Sequence, residues 1–325
     1  MKRIKIKYVD FWPSFDIKKD LLFHVLNNRG YQVEISDSPD YIVYSTFGKK
    51  HLEYDCIRIF FAGEEQSPDF NICDYAMGFD HICFGDRYFR LPLMYQPLYA
   101  DSYQLMIKRG EHLIKTQDRK FCSFVYSNPQ ADIIREEFFN RLSMYKKVDS
   151  GGRYRNNIGD PVKDKTTFES GYKFSIAFEN VSHPGYCTEK IMQAFAAGGV
   201  PIYWGDPLIE GVFNKEAFVN VMNFDSIDEA IKYVLYLDTN EEVYKKMVNE
   251  KPLIKGNEKE EIILKFEKFV DSIFVQDLND AKRTTRTFWN LNYLTLARNQ
   301  EKIYQMSTPL RSLRYNFLKI IGKKK

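Results

Sequence analysis

Apolar and basic residues alternate through Ile4-Lys5-Ile6-Lys7-Tyr8-Val9, the period-two pattern of a half-buried strand. Ser14 is placed to cap a helix running towards Asn28, with Gly30 closing it. Short strands at Tyr31–Ile35 and Tyr41–Tyr44 flank the turn cluster Ser36-Asp37-Ser38-Pro39-Asp40. Ile57-Arg58-Ile59-Phe60-Phe61-Ala62 reads as a buried strand ending at Gly63-Glu64-Glu65. The charged, irregular stretch Lys108–Lys120 reads as a linker, after which the pattern restarts. Phe121–Tyr126 is a strand, Ser127-Asn128-Pro129 a turn, and Ala131–Tyr145 a helix with Ile134, Phe138 and Leu142 on one face. Lys173–Phe178 and Val200–Trp204 are further strands. Between them Thr188 can cap a helix, Glu189–Ala197, that Gly198-Gly199 stops. Ser226-Ile227-Asp228-Glu229 is a capping box opening another helix. Strand–helix alternation of this kind predicts an α/β protein with parallel sheets covered on both faces, in two successive doubly wound, Rossmann-like halves.

Length agrees, since 325 residues suffice for two ordinary cores. Composition adds 22 Tyr and 26 Phe, rings that suit sugar surfaces but also fit a Phe/Tyr-rich coding bias. The five cysteines (Cys56, Cys73, Cys83, Cys122, Cys187) are scattered without a CxxC pair, which argues against a disulfide framework or zinc site and for a reducing compartment. The five histidines form no HxxxH pair, and no DxD triplet occurs, so neither a metal site nor a cofactor is expected. Met1-Lys2-Arg3 leads into a strand rather than a signal peptide, and no apolar run approaches the roughly 20 residues that span a bilayer.

Charge is unevenly spread. Residues 281–325 hold eleven Lys/Arg against one acid, Glu301, a net +10 that leaves −7 for residues 1–280 out of the chain's +3. These cations are interleaved with Trp289, Leu296, Ile303, Leu310, Phe317 and other apolar residues, the composition of a basic amphipathic helix lying on an anionic bilayer surface. Nucleic acid, a helix packing back on the rest of the chain and a partner chain are the rival readings, with nucleic acid disfavoured.

The densest chemistry lies in Phe178-Glu179-Asn180 and Tyr186-Cys187-Thr188-Glu189-Lys190. A strand delivers Asn180 to its carboxyl end, where ligands of open α/β sheets bind. A loop with Pro184-Gly185 follows, and Thr188-Glu189-Lys190 opens a helix whose free N–H groups favour phosphate. Lys190 adds a full positive charge for a diphosphate, and Glu189 can accept from ribose hydroxyls. The plainer reading is a well-capped helix with an acid in its first turn.

Those blocks, with Val200-Pro201-Ile202-Tyr203-Trp204-Gly205, resemble the donor-binding signature of the α1,3/1,4-fucosyltransferases, glycosyltransferase family ten. Phe60-Phe61-Ala62-Gly63-Glu64, the run Pro68–Asp80, Ser127-Asn128-Pro129 with Arg135, Gly151-Gly152 with Arg155-Asn156, and Phe218-Val219-Asn220-Val221 are similar to its bacterial branch, as in Helicobacter. The resemblance spans roughly residues 57–275; the tail after about 280 is unlike the family's repeat-bearing tail. The loop Val181-Ser182-His183-Pro184-Gly185 departs from the usual spelling, and His183 reads as a loop residue rather than a second base.

The resemblance implies a GT-B architecture of two Rossmann-like domains facing a cleft: an acceptor domain at 1–117, a GDP-fucose domain at 118–280, and the basic tail at 281–325. It implies inverting transfer of L-fucose from GDP-fucose to the GlcNAc of N-acetyllactosamine-type glycans, with a Lewis x-type product. Glu64 would be the base, Asp69 and Asp74 being weaker candidates. Arg135 and Lys190 would clamp the diphosphate in place of a metal. Asn180, Tyr186 and Glu189 would line the donor pocket, and Arg155 would be an additional contact. The expected setting is the cytoplasmic face of the inner membrane, near lipid-linked acceptors such as lipopolysaccharide precursors. The competing readings are a GT-B transferase with another nucleotide sugar and a non-catalytic carbohydrate-binding protein.

Overall fold

The structure, a computed structural model, describes residues 2–109, 114, 116–256, 258–284 and 287–322, with side chains for all of these except 305 and 307–322. Strands β1 (Arg3–Val9), β2 (Gln32–Ile35), β3 (Tyr41–Tyr44), β4 (Ile57–Phe61), β5 (Tyr75–Gly78) and β6 (Tyr88–Arg90) form one sheet in the order β2-β1-β3-β4-β5-β6. Strands β7 (Lys120–Phe124), β8 (Val148–Ser150), β9 (Tyr172–Phe178), β10 (Val200–Trp204) and β11 (Val219–Asn220) form a second, in the order β11-β10-β9-β7-β8. Every pairing is parallel. All residues of β3 and β4 are buried, as a sheet covered on both faces requires. Arg58 can lie inside β4 because its guanidinium donates to the carbonyls of His51 (3.2 Å) and Tyr54 (2.6 Å).

Local corrections are physical. The first helix, α1 (Leu21–Asn28), starts later than expected, and its cap is Asp20 rather than Ser14. The buried Asp20 carboxylate accepts from Phe23 N (3.3 Å) and from the Tyr8 hydroxyl (2.8 Å), a pairing between strand and helix start that short-range patterning could not weigh. Gly30 closes the turn at φ +80°. A helix absent from the sequence reading, α2 (Ala100–Ile107), buries Tyr103 and Met106 in a core shared with Ile191 and Phe195. The stretch read as a linker is anchored at its second residue: buried Arg109 donates to the carbonyls of Gly199 (2.6 Å) and Val248 (2.9 Å). Residues 110–113 and 115 of that stretch lie outside the described residues.

Helix α3 (Ile133–Tyr145) is capped by Asp132, and Phe138 and Leu142 are buried as the periodicity predicts. The short α4 (Lys165–Glu169) precedes β9, and α5 (Glu189–Ala196) joins β9 to β10. Ser226 Oγ accepts from Glu229 N (3.3 Å) to open α6 (Ile227–Thr239), and α7 (Glu241–Asn249) follows. Next, α8 (Glu258–Phe274) lays Phe266, Val270, Ile273 and Phe274 into the core of the first sheet, beside Ile4, Ile6 and Tyr41.

The chain ends in α9 (Leu278–Ala281) and the long α10 (Phe288–Gly322). Its start is fastened to the first half: Asp74, wholly buried, accepts from Arg283 N (2.8 Å), Thr284 N (2.7 Å) and Thr284 Oγ1 (2.9 Å). Leu294 is buried, while Phe288, Trp289, Leu296, Ile303 and Met306 are exposed. Residues 285, 286 and 323–325 of the tail lie outside the described residues. Among the described residues no helix is long and apolar enough to cross a membrane.

Candidate active site

The segments that follow β4 and β9 meet, and most of the sequence-predicted residues come together there. Glu64, three residues past β4, turns its Oε2 towards the second half, where it accepts from the Tyr186 hydroxyl (2.9 Å) and from Asn180 Nδ2 (3.1 Å). Both donors fall on one oxygen; among the described residues Oε1 accepts no hydrogen bond, so it is available to a ligand proton. Burial, with Glu179 and Glu64 alongside, pushes the Tyr186 phenol far above its ordinary pKa, so it remains a donor.

Asn180 is doubly used. Its Oδ1 accepts from Arg135 Nη1 (3.1 Å), so the base and one expected clamp cation are joined through a single carboxamide. Arg135 is 2% exposed, not on a solvated face. Its guanidinium lies 4.4 Å from the Tyr126 ring centroid and donates to the Asn128 carbonyl (2.5 Å). Burial works against its charge and draws its pKa below the ordinary arginine range.

The other cation is wired through a residue to which the sequence reading gave no role. Glu179, fully buried one step past β9, accepts from Lys190 Nζ (2.8 Å), Thr188 N (2.8 Å) and the Thr188 hydroxyl (2.8 Å). Thr188 occupies the N-cap position of α5 without a side-chain capping bond: its hydroxyl proton goes to Glu179 and its oxygen accepts from Lys190 Nζ (2.9 Å). The signal was present in Phe178-Glu179-Asn180: alternation sends Glu179 and Asn180 to opposite faces, and an acid inside a buried strand end needs a cation. Burial alone would lower the Lys190 pKa; Glu179 and Glu189 reverse this and hold it above its ordinary range. Glu189 is kept ionised by Lys190 and Lys165 against its own burial, and its Oε2 meets the Tyr99 hydroxyl at 3.4 Å.

Glu64, Tyr186, Thr188, Glu189 and Lys190 line a cavity of about 360 Å³. Its opposite wall is aromatic: Trp12 and Phe47 meet edge to face at 5.7 Å, Trp12 and Phe15 at 5.0 Å. Gly63 makes room for this wall. A Cβ there would fall 2.9 Å from Ser45 Oγ, 3.1 Å from the Trp12 ring and 3.3 Å from the Phe47 ring. Gln96, 4% exposed, also lines the cavity; its Oε1 accepts from Leu21 N (2.9 Å), and its Nε2 has no partner among the described residues.

Arg155 lies elsewhere, on the outer side of α3, paired with Glu136 (2.8 Å) and absent from the cavity lining. Asp74 and Asp69 are likewise engaged away from Glu64, Asp74 with Arg283 and Thr284, and Asp69 with the Tyr293 hydroxyl. Among the described residues no group of three His, Cys, Asp or Glu side chains is arranged to hold a metal ion.

Two family models cover most of the chain. The N-terminal domain of α-(1,3)-fucosyltransferase FucT matches residues 6–99, and the C-terminal part of glycosyltransferase family 10 (fucosyltransferase) matches residues 115–292. The chain belongs to glycosyltransferase family 10. Among its family relatives, α-(1,3)-fucosyltransferase FucT of Helicobacter pylori is 36% identical over 290 residues, covering 77% of this chain and 60% of that protein. A putative fucosyltransferase of Acanthamoeba polyphaga mimivirus is 30% identical over 60% of this chain and 34% of its own length. The chain thus spans about 60% or less of these relatives. A crystal structure of an α1,3-fucosyltransferase superposes with a TM-score of 0.70 at 31% identity, over 83% of this chain and 90% of that one. A structure of an α1,3-fucosyltransferase with GDP-fucose gives 0.69 at 30% identity, over 85% and 94%. The two parallel sheets are the GT-B-like arrangement of these family 10 structures.

Proposed function

We propose that this family 10 chain is an inverting α1,3/1,4-fucosyltransferase that uses GDP-fucose. The observation that carries the reading is the contact across the cleft: a carboxylate of the first half, Glu64, held by Tyr186 and Asn180 of the donor motif, with Arg135 and Lys190 wired to the same strand end. In the reaction the acceptor oxygen bonds to C1 of fucose as the bond from C1 to the β-phosphate oxygen breaks. The hydroxyl proton passes to Glu64 Oε1, and GDP leaves with the bonding electrons. Lys190 and Arg135 stabilise the charge gathering on the diphosphate, work done elsewhere by a metal. Glu189 takes ribose hydroxyls. Arg155 would reach the donor only by giving up its pairing with Glu136, and is kept as the weakest contact.

The acceptor in this reading is an N-acetyllactosamine-type glycan whose GlcNAc lies against Trp12 and Phe47, giving a Lewis x-type product. Sugar C–H faces match aromatic rings, and this wall stands beside Glu64. The ranges 1–117, 118–280 and 281–325 serve as acceptor, donor and tail segments, except that α8 packs on the first sheet. Exposed Phe288, Trp289, Leu296 and Ile303 on a basic helix support peripheral attachment to the cytoplasmic face of an anionic membrane.

Titration calorimetry with GDP-fucose, GDP-mannose and UDP-sugars tests the donor; preference for another nucleotide sugar would overturn the reading. GDP release over a glycan panel, with linkage read by NMR, tests the acceptor. Flotation on anionic liposomes with and without residues 281–325 tests the tail, and equal flotation would end that part.

A further inference from the structure

The loop between Asn180 and Tyr186 is where this chain parts from the family's usual spelling, and its middle residue reaches two carboxylates of the opposite half. His183 Nε2 lies 2.7 Å from Asp80 Oδ1, and Nδ1 lies 3.4 Å from Glu65 Oε1. Asp80 is itself fixed, since its Oδ1 also accepts from Ser67 Oγ (3.1 Å) and its carbonyl accepts from the Tyr88 hydroxyl (2.9 Å). Glu65 is the residue after the proposed base.

The rest of the loop is clamped on both sides. Gly185 N donates to the buried Asp206 carboxylate (2.8 Å) of the second half. At φ +91° Gly185 sits so close to the first half that a Cβ would fall 2.3 Å from the Phe79 carbonyl oxygen. The Tyr186 ring then meets Phe79 edge-on at 4.9 Å, and its hydroxyl reaches Glu64.

The ring is hydrogen-bonded to Asp80 through Nε2, and the Glu65 carboxylate stands within ion-pair distance of Nδ1. The charged and titratable groups facing this loop are Glu65 and Asp80 at the ring, Asp206 at Gly185, and His81 and Arg90 beside them.

We infer that His183 is a positioning residue: by bridging Asp80 and Glu65 it latches the 181–186 loop so that Tyr186 and Asn180 hold Glu64 in register. Its effect on turnover rests on the fucosyltransferase reading; its effect on the loop does not.

The test uses His183→Ala, His183→Gln and, as a control, His81→Asn in the full chain. His183→Ala should lower kcat about ten-fold, the scale of a small misplacement of a reacting group, with the KM for GDP-fucose nearly unchanged. His183→Gln, which keeps one donor for Asp80, should recover part of that loss. His81→Asn, which leaves the bridge intact, should keep the wild-type kcat. Unchanged kcat in His183→Ala, or no recovery in His183→Gln, would overturn the assignment.

Amide hydrogen exchange without ligand separates the two readings. Residues 186–190 should exchange faster in His183→Ala than in wild type, and equal protection would remove the latch whatever the activity. Faster exchange in a protein that does not bind GDP-fucose would leave the latch standing and remove the transferase assignment instead.

Discussion

The two walls of the cleft are built on different principles. The first half supplies mainly rings, Trp12, Phe15, Phe47 and Phe61 around Glu64, with Asp16 and Lys19 also lining the cavity. The second half supplies buried charge, fully connected, in which Glu179 takes Lys190 and Thr188 while Asn180 joins Arg135 to Glu64. A diphosphate always presents the same oxygens, so its partners are best fixed in advance, where low polarity makes each contact stronger. An acceptor sugar presents a face and a hydroxyl, which a shaped apolar wall can accommodate with little cost in order.

Five substitutions would break or sharpen that contrast. Glu64→Gln, which keeps the shape of the proposed base, should lower kcat by about 10²–10⁴-fold while calorimetry shows normal donor binding. Normal turnover would remove Glu64 from the chemistry. Lys190→Ala or Arg135→Ala should weaken GDP-fucose binding by about 1.5–3 kcal/mol, the scale of one charge-assisted contact. Lys190→Ala should in addition lower the melting temperature, because Glu179 is left buried without its cation. Binding retained in both variants would refute the clamp.

Glu169 shows what the second half's wiring prevents. It is 1% exposed, its Oε2 has no hydrogen-bond partner among the described residues, and Lys165 stands 3.9 Å away. Burial pushes its carboxyl up to about 7, only partly offset by Lys165. A carboxyl that binds its proton more tightly when folded favours the native state fully at low pH. That contribution is lost as pH rises from the ordinary carboxylate range through about 7. Glu169→Gln should therefore match wild type near pH 4.5 and be more stable at pH 8, by roughly 3 kcal/mol in denaturant unfolding. A stability gap that does not change with pH would contradict this account.

The smallest effect belongs to the aromatic wall. Trp12→Ala should raise the acceptor KM by a few-fold, about 1 kcal/mol, with the KM for GDP-fucose unchanged. A larger loss on the donor than on the acceptor would invert the division of labour.

Much of this was readable from residue order, and what was not has common causes. Strands β1, β3, β4, β9 and β10 lie within a residue or so of their expected limits because their alternation or apolar runs are unbroken. Glu64, Asn180, Tyr186, Glu189 and Lys190 converge because each follows a strand end or opens a helix, where position in the chain nearly determines position in space. Arg135 could not be told from a solvated residue on the helix, since its burial comes from Tyr126 and Asn128 on another element. Asp20 displaced Ser14 as a cap for the same reason, through Tyr8. The role of Glu179 and the anchoring of Arg109 depend on partners about ten residues away in one case and 90 or more in the other, beyond any periodicity.

Helix α8 follows the second sheet in sequence yet completes the core of the first. A fragment cut between the sheets would strip the amino-terminal piece of Phe266, Val270, Ile273 and Phe274 and leave those four apolar side chains exposed on the other piece. Swapping the first half between homologues should accordingly move residues up to the end of β6 together with 258–281 as one graft; exchange at a single junction would yield insoluble chimeras.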